Sequence, residues 1–130
     1  MDASIIVAIL AREDDWRTQS DRVDAQPALL WSAMSRWESV VALRVQRGMS
    51  IEEATALLDA FRDDNAITLV PIGDAEASTA IEAYRRFGRR SGSKAQLNMG
   101  DCFAYACART NDARLLYKGN DFSHTDVARA

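Results

Sequence analysis

SIEEATALLDAFRDDNAITLVPIGDAEASTAIEAYRRFG, running from Ser50 to Gly88, reads as helix, strand and helix in succession. Ser50 followed three residues later by Glu53 is a capping-box pattern, and Ala54, Leu57, Leu58 and Phe61 then recur on one helical face. Ile67 to Pro71 is a short apolar run suited to a buried strand. Asp74 opens the next helix, with Ala77, Ile81 and Tyr84 on its apolar face and Gly88 at its end. A strand held between helices by short links is the building unit of an α/β fold with a parallel sheet.

The same alternation extends both ways. Upstream, Ile5 to Leu10 reads as a short strand end turning into a helix that stops near Arg12, with Ser4 as cap. A helix follows from about Asp15 to Asp24, ended by Gln26-Pro27, and Ala28 to Trp31 reads as a buried strand. Ser32 and Ser35 mark a turn and cap, after which Trp37, Val40, Val41 and Arg44 recur at helical spacing up to Gly48. Downstream, a polar loop from Arg89 to Gln96 leads to Asn98 as cap, to a helix burying Phe103, Ala106 and Cys107, and to a last strand at Leu115-Leu116-Tyr117. The expectation is one α/β domain over residues 1–130, with a central parallel sheet flanked by helices and functional groups at the carboxyl ends of its strands.

Composition narrows the chemistry. With 48% hydrophobic residues in 130 there is enough apolar material for a core, and no apolar run is long enough to cross a bilayer. Asp2 and Arg12 interrupt any export-signal pattern, so the cytoplasm is the expected location. Cys102 and Cys107 stand five apart in one helix and point in different directions, which makes them buried free thiols rather than a disulfide or a closed zinc site. His124 is the sole histidine and lies in a polar segment, expected to face solvent, so histidine-based nucleophilic schemes have one poor base. Chemistry must come from carboxylates.

Four acids fall where a parallel sheet gathers its functional groups. Asp2 ends the first strand, Glu38 follows the second on its helix, Asp101 opens the helix after the polar loop, and Asp121 follows the last strand. Carboxylates brought together repel, and the usual remedy is a hard divalent cation such as Mg2+ or Mn2+, which binds phosphates and activates water without histidine or cysteine. The plainer reading of any one of them, among 19 acidic residues, is a cap or a solvated charge.

The motifs carry more than the spacing. Asp2-Ala3-Ser4, Trp37-Glu38, Leu97-Asn98-Met99-Gly100-Asp101-Cys102-Phe103-Ala104-Tyr105 and Leu115-Leu116-Tyr117-Lys118-Gly119-Asn120-Asp121-Phe122-Ser123-His124-Thr125-Asp126 occur in order across nearly the whole chain. Together they resemble the PIN-domain ribonucleases, in particular the VapC toxins of type II toxin-antitoxin systems. The resemblance implies a PIN-like three-layer fold and a metal-dependent endoribonuclease whose principal metal ligands are Asp2 and Asp101. It implies that Glu38 holds the metal directly or through water and that Asp121 completes the cluster. It further implies Mg2+ (or Mn2+) as cofactor, RNA as substrate, a homodimer, and a VapB-like antitoxin whose C-terminal segment fills the active groove. Many relatives have an acid where Asn120 stands, and Asp126 is read as a solvated residue of the tail. Relatives also carry apolar residues ahead of the first aspartate, whereas here only Met1 precedes Asp2. The first strand is therefore a stub: either the natural start lies upstream, or the site tolerates a frayed strand at some cost in metal affinity.

Between Ala83 and Gly100 stand Arg85, Arg86, Arg89, Arg90 and Lys94 with no acid, a basic stretch in a chain of net charge −3. Arg89, Arg90 and Lys94, in the loop, are the candidates for RNA backbone contact, while Arg85 and Arg86 also suit a helix C-terminus. Gly88 to Lys94 is not a P-loop, because the glycine spacing is wrong and Ala95 replaces the hydroxyl residue. Trp31 and Trp37 fall in apolar patterns and are expected in the core; Trp16 is left open. Two other readings stay on the table: a PIN-like domain without turnover that serves as a nucleic-acid or protein binding module, and another acid-cluster phosphotransfer enzyme, for which no Asp-x-Asp start is present.

Overall fold

The computed structural model describes residues 1–130. Its elements are α1 (Ala3–Leu10), α2 (Trp16–Asp24), β1 (Leu30–Ser32), α3 (Ala33–Arg47), α4 (Ile51–Asp64), β2 (Thr68–Val70), α5 (Asp74–Phe87) and α6 (Met99–Thr110), with a 3-10 turn at Asp121–His124. β1 and β2 pair in parallel, Leu30 with Thr68 and Ser32 with Val70. Beyond β1 the layer continues through backbone hydrogen bonds alone. The Met1 ammonium donates to the Leu30 carbonyl, and the Asp2 amide donates to Leu116 at 2.9 Å. Leu115 in turn donates to Ala128 at 2.7 Å and accepts from Ala130 at 3.1 Å.

Two expectations are corrected here. Ile5 to Leu10 contain no strand end, since α1 begins at Ala3, and its cap is Asp2, not Ser4. Leu115-Leu116-Tyr117 is not a strand but forms a single parallel bridge from Leu115 to Arg129. Met1 and Asp2 each contribute one backbone hydrogen bond across the layer, to Leu30 and to Leu116, which is less than a ladder. The side chains of the third segment still alternate as on a strand: Leu116 joins one core cluster, Leu115 and Tyr117 the other.

The two clusters differ in material. The first is aliphatic, built on Ile5, Ile6, Val23, Trp31, Leu43 and Leu58. The second unites α5 and α6 through Ala80, Ala83, Ala104 and Ala108, small residues that let two helices lie close. Helix ends follow sequence. α3 stops at Gly48 in the left-handed region (φ 65°), and Ser50 with Glu53 closes the capping box of α4.

The inward faces of two helices do not follow the apolar periodicity. α3 buries Ser35, Ser39 and Leu43, leaving Trp37 61% and Val45 77% exposed. Ser35 and Ser39 can be buried because the Ser35 amide donates to Ser32 Oγ and the Ser39 hydroxyl to the Ser35 carbonyl. α5 likewise turns Ala80 and Ala83 inward and leaves Ile81 and Tyr84 in solvent. Trp31 is in the core as expected, whereas Trp37 is not. No helix is long and apolar enough to cross a membrane.

Candidate active site

Asp2, Glu38, Asp101 and Asp121 line one groove of about 610 Å³. Asp2 and Asp101 form its floor, and each is fixed by capping the helix it begins. Asp2 Oδ2 accepts from the Ser4 amide at 2.9 Å and from the Ser4 hydroxyl. Ser4 Oγ also accepts from the Lys118 amide at 3.0 Å, tying the Leu115–Lys118 segment to the start of α1. On α6, Asn98 Oδ1 accepts from the Asp101 amide at 3.0 Å, and Asp101 Oδ2 accepts from the Asn98 amide at 2.8 Å, a reciprocal capping box. The second carboxylate oxygen of Asp2 and of Asp101 accepts from no protein group, although both residues are buried.

Glu38 reaches the same space from α3, its carboxylate lying against the backbone of Gly100. Burial, and then the charges of Asp2 and Asp101, push its carboxyl up to about 7. Burial also lifts Asp101 to about 6, with further repulsion from Asp2 and Asp121 outweighing the helping charge of Arg89. Asp121 lies at the rim, exposed at the start of the 3-10 turn.

No three acid, histidine or cysteine side chains are gathered into a ready cage for a cation. The donor set nevertheless fits a hard divalent ion. Mg2+ keeps most of its waters and takes one or two carboxylates rather than an all-protein shell. The free oxygens of Asp2 and Asp101, in a pocket where mutual repulsion raises carboxyl pKa values, are what such an ion would relieve.

The remaining expectations separate. Arg89 is close enough to Asp101 to stabilise its charge, and its amide donates to Leu97 at 3.2 Å, closing the base of the basic loop. Arg90 and Lys94 are exposed on that loop and do not line the groove. Asn120 is exposed and makes no side-chain cap. Asp126 is solvent-exposed and outside the groove, as expected, but it is not loose: it accepts from the Tyr105 hydroxyl at 2.7 Å and from Arg86 at 3.0 Å. His124 is exposed, and both cysteines are buried and free. Trp16 carries the guanidinium groups of Arg12 and Arg17 over its ring, at 4.2 and 4.8 Å.

Sequence reading passed over several residues of the groove. Trp37, Val41 and Val45 form an apolar wall beside the acids, and Lys118, whose ammonium is held by Glu13 and by Asp15 at 2.7 Å, stands at its edge. The dual role of Asp101 as cap and groove acid was readable in the Asn98-x-x-Asp101 spacing. The exposure of Trp37 had no such signal.

Residues 1–128 match the PIN domain family. A VapC ribonuclease of Rhizobium meliloti is 38% identical over 138 residues, covering 98% of this chain and 97% of that protein. Ribonuclease VapC28 of Mycobacterium tuberculosis is 40% identical over 130 residues, covering 100% of this chain and 96% of its own. Ribonuclease VapC42 of the same species is 34% identical, again across 100% of this chain and 97% of its own length.

Proposed function

The chain belongs to the PIN-domain family, and from that premise we propose that it is a VapC-like toxin, a metal-dependent endoribonuclease of a type II toxin-antitoxin pair. The observation that carries the reading is the meeting of Asp2 and Asp101, from opposite ends of the sequence, on the floor of one groove with a free oxygen each. Asp2 and Asp101 would hold Mg2+ or Mn2+, with Glu38 and Asp121 supporting. Such an ion, when bound, supplies water activation and neutralises charge on the phosphodiester. The protein's part is to fix the two aspartates through helix caps, to shelter them from water, and to bring the RNA backbone alongside. Arg89, which lines the neighbouring groove and whose charge still reaches Asp101, is suited to a phosphate close to the scissile bond, and Arg90 and Lys94 to the strand leading away.

Exposed apolar surface supports the expected protein partners. The wall of Trp37, Val41 and Val45 shares the groove with the acids, which suits the apolar anchors of an antitoxin segment lying across them. Ile81, Tyr84 and Met99 are exposed around a second groove of about 540 Å³ between α5 and α6, a surface suited to a second copy of the chain. The cytoplasm, where RNA and antitoxin meet, is the proposed location.

The test is incubation of the purified, antitoxin-free protein with pooled cellular RNA in EDTA, Mg2+ or Mn2+, beside a small phosphomonoester. Cleavage of RNA only with metal supports the reading. Metal binding without turnover would favour a binding module, and preferential hydrolysis of the monoester would favour a phosphatase.

A further inference from the structure

Gly100 is the second residue of α6 and is buried. Its backbone does not lie in the left-handed region, so no conformational demand excludes a side chain there. Space does. A Cβ on Gly100 would overlap the Cδ and both carboxylate oxygens of Glu38, and those are its three nearest atoms. Gly88 offers the contrast, for there a Cβ would strike the ring and the backbone carbonyl of Tyr84. At Gly100 the obstacle is the free end of a flexible side chain from α3, packed against α6. The fold could therefore accept alanine at the cost of expelling Glu38.

We propose that Gly100 is a positioning residue: its bare Cα is the seat that holds the Glu38 carboxylate against the first turn of α6, in the groove that Asp2 and Asp101 also line. The inference rests on the proposed metal site. The seat explains how an acid on a different helix joins two aspartates that are fixed by their own caps. Glu38 has no side-chain hydrogen-bond partner, so its contact with Gly100 is what the structure offers to seat it. The first turn of a helix also favours a neighbouring negative charge.

The test compares the wild-type chain with Gly100→Ala, Glu38→Ala and the double variant, reading Mn2+ affinity by calorimetry and melting of the metal-free protein. Gly100→Ala is expected to melt at or above the wild-type temperature, because alanine is the better helix former. Its Mn2+ affinity should fall about 10- to 100-fold, as when a ligand loses its support. In the Glu38→Ala background the same change should cost nothing further, and Glu38→Asp, with its shorter reach, should recover part of the affinity lost in Gly100→Ala. Wild-type affinity in Gly100→Ala, or losses that multiply in the double variant, would overturn the proposal. If Gly100→Ala does not fold, a double variant that does fold supports the seat, and one that also fails refutes it. A wild-type chain that binds no Mn2+ would sink the metal reading. The seat would then be decided by melting of the metal-free set, where the two substitutions couple if the carboxylate rests on Gly100 and add if it does not.

Discussion

The floor and the rim of the groove are built on opposite principles. On the floor, Asp2 and Asp101 are buried and locked by the caps of α1 and α6, and Glu38 is wedged beside them. At the rim Asp121 is exposed, as are Arg90 and Lys94 on the basic loop outside the groove, and no side-chain hydrogen bond holds any of them. Fixing charges in a buried cluster costs stability, whereas fixing none at the rim costs little. The difference teaches where chemistry and where capture should reside: on the proposed reading the fixed floor would take the cation, and the free exterior would adapt to a strand of RNA.

The largest expected effect is therefore on the floor. Asp2→Asn keeps a good helix cap and removes only the charge, so the fold should persist while cleavage falls by about 10²- to 10⁴-fold; circular dichroism beside the RNA assay checks both halves. Next comes Glu38→Gln, expected to lower Mn2+ affinity about 10- to 100-fold while raising the melting temperature of the metal-free protein. Titration calorimetry and thermal melts would expose the comparison as wrong if both moved down together.

A pH series sharpens the same point. Glu38 and Asp101 ionise near 7 and 6 in the fold, above their ordinary values. Between about pH 4 and 7 the folded state thus binds more protons than the unfolded state, and stability should fall as pH rises. After allowing for solvent screening the loss is roughly 1–2 kcal/mol, or several degrees of melting temperature. Saturating Mn2+ should flatten the curve, and a metal-free protein whose stability is level across that range would contradict the cost assigned to the floor.

Rim substitutions should do least. Asp121→Asn is expected to reduce cleavage by less than about tenfold, since an exposed acid acts through screened charge. Arg89→Gln, Arg90→Gln and Lys94→Gln should each weaken RNA binding evenly across sequences and flatten its salt dependence by about 0.7 in the log–log slope. Binding measured from low to moderate salt checks all three slopes, and an unchanged slope in any one of them would remove that residue from the RNA contact.

Much of this arrangement was legible in the sequence, and the exceptions share a cause. Four of the six helices announce themselves by their ends: Ser50 with Glu53 for α4, Asn98 before α6, and Gly48 and Gly88 after α3 and α5. The four acids could be placed because cap and motif positions are local. What local pattern could not supply was which face of a helix turns inward. Trp37, Val41 and Ile81 lie on apolar stripes that point to solvent, while the inward faces are made of Ser35, Ser39, Ala80 and Ala83. Periodicity marks an apolar face without saying whether it meets the core or a partner. The missing strands are a different case, because isolated backbone bonds stand where ladders were expected and an apolar run alone does not tell the two apart.

The central claim, that the capped aspartates of the floor hold a catalytic cation, is tested most directly by Asp101→Asn, in which the Asn98 cap can still form. Mn2+ binding and cleavage of pooled RNA should be lost together from a protein that melts no lower than the wild type. Cleavage at the wild-type rate in that variant would contradict the account.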